Sequence, residues 1–217
     1  MGNPRPGLFG ELVAPALAVV CAVAFFIWLA AVAMGGEADG FDTAVRGYVH
    51  STAFPALTYT MRGLTSLGEA VFLVTLGSLI VWRLVITGRH REAAFLAAAA
   101  LGAEAVDQAL KFWYRRQRPE AFFGVAPANY SFPSGHAFVS LCFYLTVAEI
   151  LIEEEWPRGR RMAARAMAVL LAGLIGLSRV YLGVHYPTDV LAGFAAAVAW
   201  LALLRCGKCA FSGRRRA

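Results

Sequence analysis

Residues 92–136 read EAAFLAAAALGAEAVDQALKFWYRRQRPEAFFGVAPANYSFPSGH. An apolar run over 92–112 ends on Lys111, a loop carries Arg115, Arg116 and Arg118-Pro119, and Pro133-Ser134-Gly135-His136 opens the next apolar run. A run of about 17–23 apolar residues crosses ~30 Å of hydrocarbon only as a helix, because lipid offers backbone groups no partner. Pro119 stops the first helix, having no amide hydrogen to give. Ser134 is placed to cap the second helix, leaving the Gly135 and His136 amides at its positive end. The stretch therefore predicts two membrane helices whose ends bring cations and free amides to one side.

The same pattern extends in both directions. Apolar runs fall at 12–34, 66–87, 92–112, 136–153, 162–180 and 187–205 in a chain of 217 residues that is 59% hydrophobic and 16% charged. Mean hydropathy is +0.60, and a soluble domain would carry about 25% charge. The expectation is an all-α polytopic membrane protein, six transmembrane helices in a bundle. It forms a single membrane-embedded domain over 1–217, with a short basic cytoplasmic tail at 206–217. Between the first two runs, residues 35–67 repeat apolar positions every three or four, which predicts a helix lying in the membrane interface. Ala31-Val32-Ala33 resembles a signal cleavage site, but the run before it exceeds the ~7–15 residues of a secretory segment, so a retained helix is expected.

Net charge is +6, yet topology rather than nucleic acid accounts for it. Thirteen of the twenty Lys and Arg fall at the ends assigned to the cytoplasm and seven at the opposite ends (Arg46, Arg62, Lys111, Arg115, Arg116, Arg118, Arg179). That asymmetry places both termini in the cytoplasm. Membrane lipids are the expected surroundings, touched at the tail by Arg214, Arg215 and Arg216. Arg115 and Arg116 read as interfacial anchors. Cys206 and Cys209 form a CxxC without the two further ligands of a zinc site. Small residues at Ala98/Gly102 and Gly193/Ala197 suit close helix packing.

Chemistry concentrates in three segments. Lys111 offers a compact ammonium, and Arg118 and Arg179 offer planar forks suited to a phosphoryl group. Ser134 and Gly135 present a helix N-terminus, a natural anion site. His185 is followed at i+4 by Asp189, which can accept from Nδ1–H and leave Nε2 free. His136 sits at the phosphate end of its helix, placed to act as a general acid. His50 and His90 read as solvated residues without partners. Asp107 lies four residues before Lys111, on the same helical face, and is expected to balance its charge; Glu104 is one turn earlier. No carboxylate cluster suggests a metal, and no cofactor is expected.

In order and spacing, Lys111-x6-Arg118-Pro119, Pro133-Ser134-Gly135-His136 and Ser178-Arg179-x5-His185-x3-Asp189 resemble the signature of the type 2 phosphatidic acid phosphatase family. Vanadium haloperoxidases and acid phosphatases of the same superfamily share it. The motif core spans 111–189, and Phe41-Asp42 and Leu64-Thr65-Ser66-Leu67-Gly68 resemble the lead-in of bacterial members. The resemblance implies His185 as nucleophile forming a phosphohistidine, Asp189 as its orienter and His136 as general acid. Lys111, Arg118, Ser134, Gly135 and Arg179 would bind the phosphoryl oxygens, without a metal. It implies a lipid phosphate substrate, polyprenyl (undecaprenyl) diphosphate first, then phosphatidylglycerol phosphate, phosphatidic acid or lipid A phosphates, at a site on the outer face of the cell membrane. Transfer of the phosphoryl group to another lipid, and a non-catalytic membrane partner, are the alternative expectations.

Overall fold

The structure, a computed structural model, describes residues 8–124, 126–153 and 155–214, with side chains from 12 to 208 apart from 125 and 154. Arg5, one of the thirteen cations assigned to the cytoplasm, lies outside the described side chains, as do the Cys209 thiol and the side chains of Arg214, Arg215 and Arg216. Eight helices make up the described chain: α1 (Leu8–Met34), α2 (Asp39–Ser51), α3 (Pro55–Ser66), α4 (Ala70–Ile86), α5 (His90–Tyr114), α6 (Gly135–Leu151), α7 (Arg158–Tyr181) and α8 (Pro187–Arg214). Among the described residues four helices (α1, α5, α7 and α8) are long and apolar enough to cross a membrane. A fifth span results if the bent pair α3–α4 counts as one. The chain is a multi-pass membrane protein.

Helix α6 sits at the centre, packed against α5, α7 and α8, and α1 runs along α8. Its inward residues Phe138, Cys142 and Phe143 are buried, and the core extends through Leu29 of α1, Leu96 of α5 and Ala197 of α8. Alanines fully buried at 99, 103, 172, 192 and 197 let the helix axes approach. The small pair Ala98/Gly102 does this visibly: a Cβ on Gly102 would stand 2.3 Å from the Trp200 ring, and Trp200 donates its indole N–H to the Ala98 carbonyl (3.3 Å).

Two expectations from sequence differ in the structure. The segment at 35–67 is two helices, not one. Proline at the first turn of α3 cannot continue α2, and Phe54 before it is held extended (φ −148°, ψ 160°). The run at 66–87 is not one straight helix; it breaks at 67–69, with α3 and α4 inclined by 46°. Packing causes the break. Gly68 lies so close to the core that a Cβ would meet Ile175 at 2.6 Å, Ser140 at 2.9 Å and His136 at 3.0 Å. The carbonyl of Leu67, freed at the break, accepts from the Tyr144 hydroxyl of α6 (2.7 Å), which satisfies a group that would otherwise be buried unpaired.

Candidate active site

Helices α5 and α7 end, and α6 and α8 begin, at the same end of the bundle. Their termini bring the three motif segments together. A cavity of about 710 Å³ there is lined by Lys111, Arg118, Gly135, His136, Arg179 and His185. Ser134 and Asp189 are fully buried behind it. The sequence-predicted residues thus converge, six on the cavity wall and two supporting it.

His185 is held from both ring nitrogens. Nδ1 faces Asp189 Oδ2 (3.3 Å) and Nε2 faces Arg118 Nη1 (2.9 Å). A guanidinium can only donate, so Nε2 carries the lone pair and Nδ1 the hydrogen, which it gives to Asp189. The free Nε2 expected from sequence is therefore engaged by Arg118, whose Nη1 also donates to the Val184 carbonyl (2.7 Å). Arg118 is anchored further through Asn129, whose carbonyl accepts from Nε (2.8 Å) and whose side chain accepts from Nη2 (2.7 Å). Burial pushes the His185 pKa down to about 4, against the opposing pull of Asp189. The unfolded chain binds this proton near pH 6.5 and the folded chain only near 4, so the contribution of His185 to folding stability is fully present above 6.5 and is lost as pH drops through that window. Thermal unfolding in detergent is expected to show that loss between pH 6.5 and 4, and His185→Gln to flatten it; an unchanged slope would show that another group titrates.

Asp189 also completes the start of α8. Its Oδ2 reaches back to the Tyr186 amide (2.9 Å), the reciprocal half of a capping box, and its backbone carbonyl accepts from the Ser134 amide (2.9 Å). The latter bond corrects the expected Ser134 cap. Ser134 stands at the N-cap of α6 but makes no side-chain cap bond, and its buried hydroxyl has no partner in the protein. Pairing with α8 fixes this backbone through the Ser134 amide, and the helix amides that a cap would satisfy are not bonded by the Ser134 hydroxyl. Gly135 is required by proximity: a Cβ would lie 2.6 Å from Asp107 Oδ2 and 3.1 Å from Lys111 Nζ. Asp107 and Lys111 form the expected buried pair on α5, and Glu104, one turn earlier, accepts from Gln108 (2.7 Å). Arg179 is buried and donates to the Thr65 hydroxyl of α3 (2.7 Å). Arg179 Nε, His136 Nε2 and Asp107 Oδ1 have no protein partner. Polar atoms this deeply buried are ordinarily paired, and here they converge on one cavity.

Arg116 is not an interfacial anchor. Its side chain is only 9% exposed and bridges Asp42 Oδ2 (2.8 Å) and Asp189 Oδ1 (2.7 Å). Burial opposes its charge, but Asp189 and Asp42 outweigh that and hold its pKa above the ordinary value. Asp42, fully buried on α2, also accepts from the Thr188 amide (3.0 Å) and hydroxyl (2.7 Å). It satisfies an open amide of α8 from a distant helix. Neither role was read from sequence, where Asp42 entered only through the resemblance of Phe41-Asp42 to the lead-in of bacterial members. His50 is likewise partnered, its ring stacked on Phe122 with centroids 4.0 Å apart. Among the described residues no three His, Cys, Asp or Glu side chains are grouped so as to hold a metal ion.

An oriented histidine and clustered cations at one end of a membrane helix bundle make a site suited to an anion, away from the midplane where a transporter's binding site usually lies. The comparisons agree. The model of the PAP2 superfamily matches residues 92–208. Phosphatidylglycerophosphatase B of Bacillus subtilis strain 168 is 32% identical over 79% of this chain and 85% of its own. The undecaprenyl-diphosphatase of Sulfolobus acidocaldarius is 29% identical over 79% of this chain and 80% of its own. Among solved structures, the transmembrane PAP2 type phosphatidylglycerolphosphate phosphatase from Bacillus subtilis superposes with a TM-score of 0.80 at 29% identity, covering 90% of this chain and 96% of that one. The chain belongs to the PAP2 superfamily, and it is a phosphatase.

Proposed function

We infer that the chain hydrolyses a lipid phosphate through a phosphohistidine on His185, at the outer face of the cell membrane. The observation that carries this reading is the shape of the cavity. From the cationic end it continues between one stripe of α4 (Leu73, Val74, Val81) and one of α5 (Leu96, Ala100, Leu101). From Lys111 back to Leu96 that path is about 22 Å at ~1.5 Å per residue. A phosphate at the polar end and a lipid tail along the apolar walls fill it together. In this reading α4 and α6 complete six spans, α2 and α3 lie at the outer interface, and both termini are cytoplasmic, as the distribution of Lys and Arg supports.

The chemistry follows from the placement. Arg118, Arg179, Lys111 and the open amides at the start of α6 stabilise the charge on the equatorial phosphoryl oxygens. Arg118 turns from Nε2 to the substrate, and the Nε2 lone pair forms the N–P bond as the P–O bond to the lipid breaks. His136 gives its proton to the leaving oxygen. Water then attacks phosphorus, His136 takes its proton, and the N–P bond breaks to release phosphate and neutral His185. Asp189 balances the imidazolium character that develops.

The named relatives support a terminal phosphate beside a second phosphate on a lipid, as phosphatidylglycerol phosphate and undecaprenyl diphosphate both present it. Phosphatidylglycerol phosphate is the first substrate to test, on the strength of the Bacillus protein and structure. Phosphate release by purified protein in EDTA should exceed a His185→Ala blank with one or both lipids, and vanadate, a five-coordinate phosphoryl mimic, should suppress it. Loss of activity in EDTA would overturn the metal-free mechanism. Accumulation of a phosphorylated acceptor lipid in place of free phosphate would favour transfer over hydrolysis.

A further inference from the structure

We propose that the end of the bundle opposite the catalytic pocket holds a second anion site, occupied by the headgroup of an anionic phospholipid from the other leaflet. A cavity of about 740 Å³ opens there, where α5 and α7 begin and α6 and α8 finish. Thr146 on its wall is ten residues along α6 from His136, and Arg165 is fourteen along α7 before Arg179. At ~1.5 Å per residue this places it about 15–21 Å from the catalytic groups.

Its charge is unbalanced. Five cations line it against two carboxylates. Glu149 is already shared, by Arg165 through two bonds (2.8 and 3.0 Å) and by Arg205 at 3.4 Å. Arg89 holds Glu92 and donates to the Ile150 carbonyl (3.0 Å). Arg91 and Lys208 have no ion-pair partner among the described residues. Like charges gathered on three helices repel one another unless an anion lies between them.

A second, independent feature points the same way. Thr146 lines this cavity, is 2% exposed, and its hydroxyl has no hydrogen-bond partner in the protein. A mid-helix threonine ordinarily bonds back to the preceding turn; this one does not, and a phosphate oxygen or glycerol hydroxyl would satisfy it. The remaining wall is apolar, including Phe95, Leu145 and Leu201, and Val169 carries it outward at 51% exposure. A small soluble anion has no use for such a wall, whereas the first carbons of an acyl chain do. Cationic pockets between membrane helices are natural seats for acidic headgroups.

The test uses full-length protein in detergent, titrated with dioleoyl phosphatidylglycerol, dioleoyl phosphatidylcholine or glycerol 3-phosphate, with bound lipid counted by native mass spectrometry. Phosphatidylglycerol is expected to bind about tenfold or more tighter than phosphatidylcholine, each free cation contributing roughly fivefold. Arg91→Ala/Lys208→Ala should erase that preference while phosphate release from a detergent-solubilised substrate stays unchanged. Thr146→Val should weaken phosphatidylglycerol binding several-fold without lowering the melting temperature of the lipid-free protein, because it removes an unpartnered buried hydroxyl. Equal binding of the two lipids by the wild type would overturn the proposal, as would a preference that survives in both variants. Glycerol 3-phosphate binding as well as phosphatidylglycerol would overturn the lipid assignment in favour of a soluble anion.

Discussion

His185→Ala is expected to reduce phosphate release by on the order of 10⁴–10⁶, the scale on which loss of a covalent nucleophile is felt. The ring is positioned from three directions, by Asp189 on Nδ1, by Arg118 on Nε2, and by burial that leaves it 1% exposed. Removing it leaves the phosphate-binding cations intact, so substrate affinity should change far less than turnover. In the wild type, an alkaline detergent quench during turnover on a ³²P-labelled lipid should trap label on the protein in an acid-labile, base-stable form. The variant should trap none. Turnover within tenfold of wild type would remove His185 from the role proposed for it, and label trapped on the variant would move the nucleophile elsewhere. His50→Ala, which alters ring contacts on Phe122 and Phe123, should retain most activity and serves as the control.

Arg116→Ala should produce the largest loss of stability among single changes at this end of the molecule. The guanidinium stands between two fully buried carboxylates, Asp42 and Asp189. Deleting one member of such a network leaves charge buried without compensation, at a cost of about 3–5 kcal/mol. An interfacial anchor would cost almost nothing, so thermal unfolding in detergent separates the two roles directly. The effect on chemistry is distinct from that on folding. Asp189 shares Oδ1 with Arg116 and Oδ2 with His185, so freeing the first oxygen lets the carboxylate rotate away from the imidazole. In molecules that remain folded, the acid limb of the rate–pH profile should move, with KM little changed. Asp42→Asn removes the other charge and should lower stability but leave that limb in place. A wild-type melting temperature and pH profile for Arg116→Ala would show the bridge to be inconsequential.

The difference between what could and could not be read from sequence has a physical basis. Lys111, His136, Arg179, His185 and Asp189 were legible because each lies at the end of an apolar run or within one helical turn of a partner, whereas Arg118, in the loop, was legible only through its place in the Lys111-x6-Arg118-Pro119 motif. The pairs Asp107–Lys111 and His185–Asp189 depend on i, i+4 spacing alone. Arg116 lies only two residues from Arg118, with the same side chain and the same loop, yet the two point to different partners. Sequence spacing says nothing about which, because Asp42 is 74 positions away. Thr65 reaching Arg179 is a similar case, across 114 positions.

Hydrophobicity and its period determined that the chain is helical and lies in a membrane, because lipid leaves the backbone no other way to satisfy its polar groups. They also determined that the motif residues share one end, since consecutive spans alternate in direction. Tertiary packing decided the rest. It broke the 66–87 run at Gly68 to fit against His136, and it tied the Ser134 amide to the Asp189 carbonyl of α8. It also carried Asp42 onto the first turn of α8, where one carboxylate caps a helix and balances an arginine that the sequence placed at the surface. Each of these depends on distances between helices, and those are set by side-chain volumes meeting across the bundle rather than by the order of residues along any one span.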